Sequence, residues 1–297
     1  MGRTRQSYYE RTWHETARAL DSEAVVNLVQ PLRALMPKLG TRKLHARLQE
    51  AFAERRLKVG RDTLFRILRE KSLLVARRRR YTRTTDSRHW MHKYPNLIKE
   101  MHLERPEQLF VSDITYIATD EGHNYLSLVT DAASKCIMGY CLRQDLSPVG
   151  CLSALQMALG KRTRPEAPLI HHSDRGLQYC SKDYVGLLTE HQVQISMTEN
   201  GDPYENAIAE RVNGILKEEF YLGETFRSHQ QAERAVADSI EIYNTRRPHL
   251  SCQMMTPAEA HHCSTLDVKS WKKNIRKGSQ GKPGEPANLT PKSVRYF

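Results

Sequence analysis

Between residues 108 and 144 the chain reads QLFVSDITYIATD, HNYLSLVTDAA and KCIMGYCLRQ, three β-rich runs with short turns at Glu121-Gly122 and Ala132–Ser134. Runs of this length, rich in β-branched and aromatic residues and broken only by tight turns, predict an antiparallel meander. The period then changes. A helix is expected near 148–160 (PVGCLSALQMALG), a buried strand at 167–174 (APLIHHSD), a helix at 181–190 and a short strand at 193–197 (VQISM). Two further helices are expected, one opening in GDPYENAIAERVNGILK and one over about 228–245 that ends in YNTRRPHLS.

Three antiparallel strands followed by alternating helices and strands call for a mixed sheet covered by helices. The expected fold class is α/β, a ribonuclease H-like mixed sheet with flanking helices, preceded by an all-α unit. In that unit, residues 22–36 show helical periodicity interrupted by Pro31. GTRKLHARLQEAF (40–52) predicts a helix with Leu44, Leu48 and Phe52 four apart, and a turn around Lys58–Gly60 leads into RDTLFRILREKSL (61–73). In the second of these helices Leu64, Ile67 and Leu68 form the inner face, leaving Arg61, Arg66 and Arg69 outward. Two short helices, the second rich in Arg, fit a helix-turn-helix that contacts DNA. Arg78 and Arg79, in the following run ARRRRYTRTT, would touch phosphate. The expected boundaries are 1–75 for the helix-turn-helix domain, 76–104 for a basic linker, 105–265 for the core and 266–297 for a basic tail.

Charge follows these boundaries. The net charge of +12 divides into +13 over 1–104, −7 over 105–265 and +6 over 266–297. Basic arms suit a polyanion, whose condensed counterions they release. An acidic centre suits one only if its carboxylates hold cations. The six cysteines lack paired metal-ligand spacing, and neither an apolar leader nor an 18-residue apolar run occurs, so the expected setting is cytoplasmic with no membrane partner.

Three acidic residues stand out in the centre. Asp113 lies mid-strand in VSDITYI, where a free carboxylate is costly. Asp174 closes the strand LIHHSD, and Glu210 shares a helical stripe with Asn206, Asn213 and Lys217 at steps of four, three and four. Carboxylates gathered at one sheet raise one another's pKa, and a pair of Mg²⁺ or Mn²⁺ ions removes that conflict. Two such ions serve in-line displacement at phosphorus without a protein nucleophile.

VSDITYI, HHSDRGLQYCSKDY, ENAIAERVNGILKEEF and YNTRRPHLSCQMMTPAEA together resemble the catalytic, OrfB-type subunit of IS-three family insertion-sequence transposases, which have a retroviral-integrase-like DDE core. GTRKLHARL and VGRDTLFRIL resemble that family's helix-turn-helix. The family's interval of 35 residues between its second Asp and its Glu is met by Asp174 and Glu210, and its basic residue seven positions later by Lys217. Phe110 stands where the family usually has Trp, and Arg211 where it often has Ser.

The resemblance implies Mg²⁺- or Mn²⁺-dependent cleavage at terminal inverted repeats, then 3′-OH strand transfer into target DNA, with Asp113, Asp174 and Glu210 as catalytic and metal-binding residues. It implies DNA contacts by Lys217, Asn206 and Arg175, and supporting roles for His172 and Asn213. A homo-multimer on DNA is implied, as is an upstream-frame, OrfA-type protein as partner or fusion, in a bacterial, nucleoid-associated setting. The alternatives are a ribonuclease H-like nuclease without strand transfer and a non-catalytic DNA-binding protein. Retention of all three carboxylates weighs against the last.

Overall fold

Eleven residues, Leu109–Thr119, form the central strand β1 in a computed structural model of the chain, which describes residues 21–75, 91–99, 101–199 and 206–266. β1 pairs antiparallel with β2 (Gly122–Asp131), which pairs antiparallel with β3 (Ile137–Arg143). On its other edge β1 pairs in parallel with β4 (Ile170–Ser173), and β4 with β5 (Gln194–Met197). The resulting order, β3-β2-β1-β4-β5, is the ribonuclease H-like sheet expected from the order of elements.

The preceding helices run as α1 over 21–35, α2 (Thr41–Arg47), α3 (Gln49–Glu54) and α4 (Arg61–Glu70). After the meander come α5 (Pro148–Gly160), α6 (Lys182–Glu190), α7 (Ala207–Glu219), α8 (His229–Thr245) and α9 (Pro257–His262). Among the described residues no helix is long and apolar enough to cross a membrane.

Alternation along the strands divides the apolar residues between two faces. Phe110, Val129 and Met138 pack with Leu155 and Ala158 of α5 and with Tyr184 and Leu188 of α6. Ile117, Leu126 and Leu128 pack with Val212, Ile215 and Leu216 of α7 and with Ile240 and Tyr243 of α8. Each such side chain, fully buried, contributes roughly 1.5–3 kcal/mol. The second cluster does not stop at the sheet. Val25, Val29, Leu39, Leu44, Leu64 and Leu68 belong to it, so the amino-terminal helices and α7 share one apolar interior.

Three local features differ from the sequence expectation. The helix over 21–35 runs through Pro31, which is exposed, so the carbonyl it leaves without an amide partner lies on the water side. The helix expected over 40–52 breaks at Leu48 (φ −98°, ψ 0°) into α2 and α3. The additional helix α9 follows a capping box, in which the Thr256 hydroxyl accepts from the Glu259 amide and the Glu259 side chain accepts from the Thr256 amide. Arg78, Arg79 and the tail beyond 266 lie outside the described residues.

Candidate active site

The parallel register sets Val111 level with His172. Asp113 and Asp174 each lie two residues further along, so the two carboxylates come level at one end of the sheet. Asp174 follows the last residue of β4, and its Oδ1 accepts a hydrogen bond of 2.9 Å from the Gly176 amide. A Cβ at Gly176 would stand 3.0 Å from that oxygen, so glycine permits the close turn.

Helix α7 covers this end. The Asn213 side-chain amide donates to Asp113 Oδ2 at 2.8 Å, and that of Asn206 donates to the Ser112 carbonyl at 3.0 Å. Both asparagines are buried, so half of the polar stripe faces the sheet rather than water. Glu210, on the same stripe, remains exposed. Lys217 Nζ lies 4.0 Å from the centroid of the Tyr116 ring, a cation–π contact that carries no sequence signature beyond an aromatic on a strand.

Burial pushes the Asp113 carboxyl up to about 7, and the charges of Asp174 and Glu210 push the same way against its hydrogen bonds from Asn213 and the Ile114 amide. Burial also raises Glu210. For Lys217 burial lowers the pKa while Asp113 opposes the change, so ammonium and carboxylate sense each other. The charge of Asp174 weighs more on Asp113 than that of Glu210 does. Among the described residues no three His, Cys, Asp or Glu side chains stand together as a finished metal cluster.

The donor set nonetheless fits a hard divalent cation: it offers carboxylate oxygens that repel one another without one. Asn206 Oδ1 and Asn213 Oδ1 add buried acceptors that lack a hydrogen-bond partner among the described residues.

His172 is fully buried, with Nδ1 2.8 Å from Ser196 Oγ, and so ties β4 to β5 beside the site. His171 Nε2 lies 2.7 Å from Ser112 Oγ and 2.9 Å from the Tyr184 hydroxyl, and burial pushes this imidazole down to about 3. Arg175 is half-buried next to Asp174, and its charge is felt at Glu199 and Cys180. Arg61, Arg66 and Arg69 line the exposed face of α4. Arg61 pairs with Asp62 at 3.0 Å and Arg66 with Glu70 at 2.9 Å, both exposed pairs that contribute little to stability.

The raised Asp113 sets a sign for pH dependence. Its folded value of about 7 exceeds its ordinary 3.8, so between the two the folded chain holds a proton that the unfolded chain has lost. The stability this contributes is present at acid pH and lost as pH rises through about 7 in metal-free buffer. Melting curves in EDTA should fall more steeply with pH for wild type than for Asp113→Asn. Parallel curves would contradict the assignment.

The sheet order β3-β2-β1-β4-β5 with flanking helices makes this a ribonuclease H-like core. Two family models, both described as integrase core domain, match residues 104–203 and 191–257. The 31 kDa protein of insertion element IS600 from Shigella sonnei is 34% identical over 262 residues, covering 87% of this chain and 94% of that one. Transposase InsF for insertion sequence IS3A, from Escherichia coli (strain K12), is 34% identical over 194 residues, covering 65% and 67%. The chain belongs to the IS-three family of insertion-sequence transposases. The HTLV-2 integrase catalytic core in complex with magnesium is 18% identical over 54% of this chain and 100% of that one, with a TM-score of 0.44.

Proposed function

We propose that this DNA transposase works through Asp113, Asp174 and Glu210 as ligands for two Mg²⁺ or Mn²⁺ ions, cleaving at the element's terminal inverted repeats and joining the freed 3′-OH to target DNA. The observation that carries this reading is the parallel register that brings Asp113 level with Asp174 beneath α7, whose Asn213 donates to Asp113 Oδ2. Divalent cations at such a site supply Lewis-acid stabilisation of the attacking and leaving oxygens.

The chain's own residues do the rest. Asn213 keeps Asp113 oriented through the bond to Oδ2, and the Gly176 amide holds Asp174 through Oδ1. Lys217, steadied over Tyr116, offers its ammonium to a phosphate near the scissile bond. Asn206 fastens the start of α7 to β1, and Arg175 extends the cationic rim beside Asp174. His172 supports the end of β4 from inside the sheet.

The amino-terminal unit, residues 1–75, would read the terminal repeat through the α4 face of Arg61, Arg66 and Arg69. The linker at 76–104, with Arg78 and Arg79, would track phosphate up to the core at 105–265, with the basic tail at 266–297 adding charge. Pairing two element ends requires a multimer on DNA, and an upstream-frame, OrfA-type protein is the natural partner or fusion. The work is cytoplasmic, at the bacterial nucleoid.

A strand-transfer assay on pre-cut terminal DNA with Mg²⁺ tests the assignment. Wild type should join, and Glu210→Gln should not. Equal joining by the two proteins would overturn the ligand assignment, and products that are nicked but never joined would overturn strand transfer.

A further inference from the structure

Glu219 closes α7 nine residues after Glu210, so the two stand about 14 Å apart along one rigid helix. It is not on the stripe that faces Asp113. Instead its carboxylate is gripped from two distant parts of the chain. Arg247, in the YNTRRPH segment after α8, donates from Nε to Oε2 at 2.8 Å and from Nη2 to Oε1 at 2.8 Å. Lys43, on α2, donates to Oε1 at 2.9 Å. The Lys38 amide also donates to the Glu219 carbonyl at 3.3 Å. Side-chain exposures of 1% for Arg247, 11% for Lys43 and 13% for Glu219 put the cluster out of water.

A buried ion cluster is a poor way to gain stability, because desolvating the charges cancels much of their attraction. Its strength is geometric. A bidentate guanidinium fork and an ammonium fix one carboxylate in one position. Here that carboxylate terminates the helix carrying Glu210 and Lys217, and one of its two holders belongs to the amino-terminal helices. Lys38 adds a second tie between the units, with its ammonium 4.0 Å from the centroid of the Tyr221 ring just past α7.

We propose that the Lys43–Glu219–Arg247 cluster is the junction through which the amino-terminal unit positions the catalytic helix, so that DNA held by that unit sets the placement of Glu210. Lys43, Glu219 and Arg247 are positioning residues that touch neither DNA nor metal. The inference rests on the proposed roles of Glu210 and of the amino-terminal helices.

The test compares single-turnover joining by the full chain, at saturating DNA, on two pre-cut duplexes. One carries the whole terminal repeat and the other is truncated to the cleaved end, out of reach of the amino-terminal helices. Wild type should join the long duplex faster. Lys43→Met should lose at least about five-fold of that rate advantage, the lower range of coupling between linked sites, with its affinity for the long duplex unchanged. Lys43→Arg should retain the advantage.

A wild-type ratio in Lys43→Met, or equal rates on the two duplexes in wild type, would overturn the coupling. So would parallel losses of affinity and rate. A wild type that binds both duplexes and joins neither would overturn the active-site reading and the coupling together. Should Lys43→Met fail to fold, hydrogen exchange of wild type decides. Binding of the inner part of the repeat alone should slow exchange in α7, and unchanged exchange there would overturn the proposal.

Discussion

Asp174→Asn is expected to lower strand transfer roughly a thousand-fold, because losing one carboxylate from a metal-assisted site removes several kcal/mol of transition-state stabilisation. The fold should survive. An asparagine carbonyl can still accept from the Gly176 amide, so the turn after β4 keeps its hydrogen bond. The charge it removes is one that raises Asp113, so without metal at neutral pH the variant should melt no lower than wild type. DNA affinity should remain, since the DNA contacts proposed for the exposed arginines of α4 do not involve Asp174. Joining assays on pre-cut ends, with melting curves and a DNA-binding titration alongside, check all three outcomes. Joining within tenfold of wild type would remove Asp174 from the chemistry.

The second large effect is on folding. A Cβ at Gly139, in the middle of β3, would lie 1.9 Å from the Ala154 carbonyl oxygen and 2.9 Å from the Ala158 amide nitrogen. Both are backbone atoms of α5, which cannot swing aside as a side chain could. Overpacking of this kind costs about 1–3 kcal/mol and sometimes more. At about 2–4 °C per kcal/mol for a chain of this size, Gly139→Ala should lower Tm by roughly 2–12 °C or leave no soluble protein. Gly186, in α6, meets nothing within 4 Å, and Gly186→Ala should hold or slightly raise Tm through better helix propensity. A normal Tm for Gly139→Ala would mean that α5 does not lie directly on β3.

The meander and α5 were legible because their signals are local: β-rich runs between tight turns, then Ser147-Pro148 opening an apolar helix. The pairing of Asp113 with Asp174 was legible for a related reason, since both stand at β-rich runs whose order implies the sheet. Helix α7 was half legible. Its four-residue polar stripe was plain, but burial of Asn206 and Asn213 depends on contacts with β1 that lie 94 and 100 residues away in sequence. The Lys43–Glu219 bond spans 176 residues, and no periodicity in either segment announces it. Pro31 works in the other direction: the helix runs through it, because the carbonyl it leaves without an amide partner faces water. The α9 capping box is a local signal too, with Thr256 and Glu259 three residues apart.

These long-range contacts gather around one helix. α7 presents Asn213 to Asp113, Lys217 to Tyr116 and Glu219 to the amino-terminal unit, so its placement sets where Glu210 stands relative to the aspartates. The most direct measurement is therefore of the cation site itself. Mn²⁺ binding by the chain on pre-cut terminal DNA, counted by electron paramagnetic resonance, should give two tightly held ions per active site. Asp113→Asn, Asp174→Asn and Glu210→Gln should each lose at least one of them. Mn²⁺ binding unchanged in all three variants would contradict the account.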